Sequence, residues 1–256
     1  MTRFCLFITS LWVASTTFGS TTKQQAITEA QKTPVGPFGE VIPGVITALK
    51  TQEPVIALTL DACGGQGPHS YDQDMIQFLE KQEVKATIFI SGRWLKYHEA
   101  KAKMLAGNPL FTIENHGLHH KPASSNGRSA FGIKGTQNLH HLYREIKGNH
   151  DYIERITGTK TKYYRPGTGY IDQRALKLAE ELDHKVIGFN IISGDVLYPG
   201  DKAQIKARLD QATAGAIVII HLNHADWQGF EALKEWVIQK KNQGYRFVHL
   251  DEFPLQ

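Results

Sequence analysis

The sequence predicts an α/β domain built on a largely parallel sheet, open or closed into a barrel. Three observations carry that expectation. From about residue 46 onward, short apolar runs of strand length alternate with stretches whose apolar residues recur at helical spacing. The best of those runs, VIALTL and AIVIIH, are continuously apolar, as buried strands are. A chain of 256 residues with 41% hydrophobic content can bury a substantial core without disulfides, as one large domain or two small ones.

Taken in order, VIALTL (55–60) is the first strand. Ser70 and Gln73 have capping-box spacing ahead of a helix whose apolar face is Met75, Ile76 and Leu79. KATIFIS (85–91) and part of GNPLFTIENHG (107–117) supply two more strands. Leu139, Leu142, Ile146, Ile153 and Ile156 mark a long helix from near Thr136 to Gly158. DQRALKLAEEL (172–182) begins on an aspartate suited to an N-cap, and VIGFNII (186–192) follows as a strand. IKARLDQATAG (205–215) is a helix stopped by glycine, AIVIIH (216–221) a strand. FEALKEWVIQKKNQG and YRFVHL give the last helix and strand. No fixed-period repeat or low-complexity tract interrupts the pattern.

The N-terminus differs in kind. A short basic start, MTR, precedes FCLFITSLWVA, which has the length of a signal-peptide apolar region and is too short to span a bilayer. Small residues follow, so residues 1–20 read as a cleaved signal peptide. Residues 21–45 read as a polar, Pro- and Gly-rich lead-in, and residues 46–256 as the α/β domain. The expected location is therefore periplasmic or secreted, with no membrane span after signal cleavage. Loss of Cys5 with the signal leaves Cys63 as the lone cysteine, so no internal disulfide is expected. With 29 Lys and Arg against 25 Asp and Glu and no basic block, the charge argues against a nucleic-acid partner.

The chemistry-bearing residues gather where strands end. ALTLDACGG (57–65) runs an apolar strand into Asp61, then Ala62, Cys63 and two glycines that give the loop room to turn. In such folds ligands collect at the carboxyl ends of strands. His116 and His120 in ENHGLHHKP have i, i+4 spacing, which in a helical turn places both imidazoles on one face, within reach of one metal ion. His119 is a competing neighbour. His221 ends another strand, with His224 close by as an alternative. Arg165, Asp195 and Thr168 lie in loops; taken alone, Arg165-Pro166 reads as a surface turn, and Asp195 equally as an Asx turn.

Together these residues resemble the polysaccharide deacetylase family, carbohydrate esterase family 4. Thr59-Leu60-Asp61-Ala62 stands at the family's Thr-Phe-Asp-Asp motif, and His116 and His120 match its paired histidines. Arg165-Pro166-Gly167-Thr168-Gly169 looks like a variant of Arg-Pro-Pro-(Tyr/Trp)-Gly, Asp195 in NIISGD is similar to the fourth motif, and His221 to the fifth. The resemblance covers about residues 55–250. It implies a deformed, incomplete (β/α) barrel that hydrolyses N- or O-acetyl groups on a glycan with one divalent metal, zinc first and cobalt or another first-row ion next. It implies Asp61 as general base, His221 as general acid, Arg165 orienting Asp61, Asp195 holding His221, and His116 and His120 as metal ligands. A backbone N–H of the Gly167–Gly169 segment, that of Thr168, would face the developing oxyanion. Peptidoglycan or another acetylated cell-envelope glycan is the expected partner; oligomeric state is not legible.

The sequence departs from the family at Ala62, where a metal-binding aspartate is usual. Three outcomes stand open: Asp61 could coordinate the metal itself, Cys63 could supply a thiolate, or two histidines and water could hold the ion weakly or not at all. Hydrolysis of O-acetyl esters or non-sugar amides on the same fold, and a catalytically silent glycan-binding protein, are the alternative functions.

Overall fold

The computed structural model describes residues 22–256; the expected signal peptide, residues 1–20, lies outside them. In chain order the elements begin with helix α1 (Lys23–Gln31), strand β1 (Phe38–Gly39), β2 (Val55–Ala62), α2 (Gln73–Lys81), β3 (Ala86–Ile90) and α3 (Gly92–Ala106). Next come β4 (Phe111–Asn115), the short pair β5 and β6 (Ser129–Ala130, Ile133–Lys134), α4 (Leu139–Thr157), β7 (Tyr163–Tyr164) and β8 (Ile171–Asp172). The chain ends with α5 (Gln173–Glu181), β9 (Lys185–Val186), β10 (Ile191–Ile192), α6 (Lys202–Leu209), β11 (Ala216–His221), α7 (Gly229–Asn242) and β12 (Arg246–Phe247).

The main sheet has the order β10-β11-β2-β3-β4-β7-β9, with β12 on the first two residues of β2, and every pairing is parallel. It curls into a half-barrel, the incomplete barrel that the family resemblance implies. All eight residues of β2 are buried because both of its faces are covered. Ile56, Leu58, Leu60 and Ala62 join the apolar layer beneath α2, α3, α6 and α7, which contribute Leu79, Trp94, Leu209 and Trp236 among others. The alternate residues Val55 and Ala57 join a second cluster with Phe89, Phe189 and Ile219 inside the curl. Thr59 and Asp61 continue on that inner face.

The expected strand 186–192 is in fact two short pairs, one on each edge of the sheet. The segment 45–47 interposes there: Ile46 donates to the Val186 carbonyl and accepts from Gly188 N–H. A Cβ at Gly188 would come within 2.9 Å of Val45, so the close approach needs glycine. Helix α1 lies within the segment read as a lead-in. It is closed by a capping box between Thr22 and Gln25 and buries Ala26, Ile27 and Ala30 in a third cluster with α4 and α5 residues.

Three helix starts also differ from expectation. Asp72, not Ser70, caps α2, accepting from Met75 N–H at 2.8 Å. Ser70 belongs to a 3-10 turn and donates to the Gly67 carbonyl instead. Asn138 caps α4 two residues beyond Thr136, and Asp201 starts α6 earlier than residue 205, with its end at Leu209. Among the described residues no helix is long and apolar enough to cross a membrane.

Candidate active site

Asp61 and His221 are register partners at the ends of the adjacent strands β2 and β11. Parallel strands aligned this way bring their following loops to one rim. His116 follows β4, Arg165 follows β7 and Asp195 lies three residues past β10, so these three share that rim with Asp61 and His221.

Arg165 is fully buried. Its Nη1 donates to Asp61 Oδ1 at 2.6 Å and to Thr59 Oγ1 at 2.9 Å, while Nη2 and Nε donate to the carbonyls of Gly188 and Ile187. The guanidinium lies 4.2 Å over the Phe89 ring and 5.5 Å from that of Phe189. A planar cation held by aromatic faces and four oxygens has one orientation available, and Asp61 inherits it.

A second couple faces the same rim. His221 Nδ1 is 3.0 and 3.2 Å from the two oxygens of Asp195, and the His221 backbone N–H donates to Oδ2 at 2.8 Å. Ser193 Oγ and the Val196 N–H also donate to Asp195. Burial alone would lower the His221 pKa, but the facing Asp195 carboxylate, with Cys63 beside it, holds it well above the usual histidine value. Burial would raise Asp195, and the charge and hydrogen bonds of His221 hold it below the usual carboxylate value instead. His224 has no such partner: it stacks on Trp227, centroids 3.5 Å apart.

His116 and His120 come together, though not on a helical turn. Residues 116–120 form a loop with left-handed backbone at Gly117 (φ 79) and His120 (φ 56), and the two rings meet edge to face at 4.8 Å. Glu145 of α4 fixes the loop, its Oε1 accepting from the His119 and Lys121 N–H groups at 2.9 and 3.0 Å. His116 Nδ1 donates to the Arg165 carbonyl at 2.8 Å, which turns Nε2 toward the rim. That Nε2 lies 3.5 Å from Cys63 Sγ and 3.4 Å from Asp61 Oδ2. One donor atom each from Cys63, His116 and His120 lies within 4.8 Å of the other two, and His120 Nδ1 is buried without a hydrogen-bond partner. Convergent nitrogen donors beside a thiol, one of them unpartnered, suit a zinc-class ion.

Thr168 sits at φ 72, rare for a β-branched residue. It is the third residue of a turn closed by the Gly169 N–H donating to the Pro166 carbonyl. Among the described residues the Thr168 N–H has no acceptor. The turn also packs on the histidine loop: a Cβ at Gly167 would sit 2.3 Å from the His120 carbonyl carbon and 2.5 Å from its oxygen. Gly167→Ala is therefore expected to push His120 out of place, lowering stability by about 1–3 kcal/mol. A thermal melt and a zinc titration check this; wild-type values in both would show that the contact yields freely.

Sequence reading passed over the residues that hold this rim. Asn223 accepts from the Cys63 N–H at 3.1 Å and donates to the Gly64 carbonyl, and Ser91 Oγ donates to the Cys63 carbonyl at 2.8 Å. Asn149 of α4 donates to Asn115 Oδ1, which in turn accepts from Gly117 N–H. Glu145 and Asn149 had one available signal: both interrupt the apolar stripe of their helix and are fully buried.

The profile described as polysaccharide deacetylase matches residues 48–187, more than half the chain, spanning Asp61 to Thr168 and ending before Asp195. The uncharacterized protein YlxY of Bacillus subtilis is 24% identical over 195 residues, 75% of this chain and 55% of its own length. The peptidoglycan-N-acetylglucosamine deacetylase PgdA of Listeria monocytogenes is 26% identical over 200 residues, 77% of this chain and 38% of its own. This chain thus spans about half or less of either relative. In fold it resembles a family 4 carbohydrate esterase pseudoenzyme from Bacillus anthracis, with a TM-score of 0.67 at 23% identity, covering 83% of this chain and 69% of that one. By the profile match and the half-barrel fold together, the chain belongs to the polysaccharide deacetylase family, carbohydrate esterase family 4.

Proposed function

We propose that this protein is an exported, metal-dependent hydrolase that removes acetyl groups from N-acetylated sugars of a cell-envelope polysaccharide, peptidoglycan or a similar glycan. The observation that carries the reading is the pairing of a proton acceptor with a proton donor on neighbouring strand ends. Asp61 is oriented by Arg165 and His221 by Asp195, around the Cys63, His116 and His120 donors.

His116 and His120 would hold a divalent ion, zinc before cobalt or another first-row metal. When bound, such an ion polarises the acetyl carbonyl and lowers the pKa of attacking water. Asp61 Oδ2, the oxygen Arg165 leaves free, accepts the water's proton. The Thr168 N–H, without an internal acceptor, donates to the oxygen that gains charge. Amide cleavage then needs a proton on the departing nitrogen, and His221 gives it from Nε2 while Asp195 supports the imidazolium through Nδ1.

Acetate release from N-acetylglucosamine oligomers, measured with and without chelator, tests the reading. Chelator-sensitive release is expected. Release confined to O-acetyl esters or non-sugar amides would move the substrate class. Glycan binding without release from any acetylated substrate would replace hydrolysis with a silent glycan-binding role, for which Ala62 and the likeness to a pseudoenzyme speak.

A further inference from the structure

We propose that Cys63 is the third protein ligand of the metal, as a thiolate, and that Asp61 stays outside the coordination sphere. The inference rests on the metal-dependent reading above.

Strand alternation decides which residue can reach the site. Ala62 is fully buried in the apolar layer under the helices, on the opposite face of β2 from Asp61. The Ala62 methyl adds to that layer and offers no donor to the rim. The next position returns to the inner face, and there stands Cys63. Cys63 is therefore the residue beside Ala62 that places a donor atom with those of His116 and His120.

The distance also fits. Tetrahedral zinc with Zn–S near 2.3 Å and Zn–N near 2.0–2.1 Å separates a sulfur and a nitrogen ligand by about 3.6 Å. Cys63 Sγ lies 3.5 Å from His116 Nε2. A metal ligand must also be held, and the Cys63 peptide groups are: its N–H by Asn223 and its C=O by Ser91, with Asn223 clamping Gly64 as well. Asp61 Oδ2 also lies 3.4 Å from His116 Nε2, but the donor atoms that lie within 4.8 Å of one another are those of Cys63, His116 and His120, and Asp61 has Oδ1 engaged by Arg165, which suits a proton acceptor fixed beside the ion. Two imidazoles and a thiolate leave a fourth position open, as catalytic zinc sites do, and shift preference toward zinc over magnesium or calcium.

Cobalt(II) reports the ligand directly, because thiolate ligation adds a near-ultraviolet charge-transfer band that histidine and carboxylate do not. The metal-free protein titrated with cobalt is expected to show that band. Cys63→Ser should lose it together with about 100-fold or more in affinity, at least the loss that removing a supporting partner causes. Cys63→Asp should bind cobalt without the band, which keeps the test valid if the serine variant folds poorly. Asp61→Asn should keep both the band and an affinity within a few-fold of wild type. An unchanged spectrum and affinity in Cys63→Ser, or loss of binding in Asp61→Asn, would overturn the proposal. His116→Ala and His120→Ala separate the two levels. If they abolish binding while Cys63→Ser does not, only the thiolate assignment fails; if neither matters, the metal-dependent reading fails with it.

Discussion

Asp61→Asn is expected to lower kcat by about 10²- to 10⁴-fold, the usual contribution of a positioned proton acceptor, with KM little changed. Asparagine has the shape of aspartate and keeps an oxygen at the position of Oδ1, so the 2.6 Å bond from Arg165 retains an acceptor. What it cannot do is take a proton from water. The substitution also leaves a buried cation without its anion. Removing one member of a buried ion pair outright costs about 3–5 kcal/mol. Here Thr59, Gly188 and Ile187 still offer three oxygens to the guanidinium, so the asparagine variant should stay folded. Asp61→Ala lacks the fourth acceptor and should show the greater loss of stability for the same loss of turnover. Steady-state kinetics on an acetylated oligosaccharide, with thermal melts of both variants, check this. Turnover within ten-fold of wild type in Asp61→Asn would remove Asp61 from the base role.

The parts of this site that sequence shows are those where a periodic pattern stops on a polar residue. Asp61 and His221 each end an apolar run, and the run itself requires the strand that delivers them. Their pairing opposite one another is a matter of register between β2 and β11, 160 positions apart in the chain, on which local pattern is silent. The i, i+4 histidines show the reverse case, with the right residues and the wrong local structure. A helical turn would send backbone N–H groups to carbonyls four residues back. Glu145 takes those of His119 and Lys121 instead, and Gly117 supplies the left-handed bend. That competition comes from a helix 25 residues downstream and leaves no trace in the motif itself. Helix α1 escapes notice because Ala26, Ile27 and Ala30 make a narrow stripe in a polar stretch. Cys63 was legible as a candidate; that Ala62 faces the helices while Cys63 faces the rim required the strand to be seen extending through residue 62.

Asp195→Asn should do to the acid what Asp61→Asn does to the base, and its pH dependence identifies which histidine acts. Burial opposes the imidazolium of His221, and Asp195 is the leading group that restores it. Without that charge the His221 pKa falls, so less of the acid is protonated at neutral pH and the amide nitrogen leaves unaided. The alkaline limb of kcat/KM is expected to move to lower pH, with kcat at pH 8 reduced by about 10²- to 10⁴-fold. Stability should respond with a definite sign. The raised His221 contributes fully below its unfolded value, near 6.5, and its contribution is lost as pH rises through the folded value. The depressed Asp195 contributes above its unfolded value, near 3.9, and its contribution is lost as pH falls through the folded value. Wild type should therefore exceed Asp195→Asn in Tm most between those limits, with the two curves converging toward acid and toward alkali. His224 offers a control, because it stacks on Trp227 and has no carboxylate partner of this kind. If the alkaline limb stays in place in Asp195→Asn and moves in a His224 variant, the proton comes from His224, and the Asp195–His221 pair holds the ends of β10 and β11 together without donating to substrate.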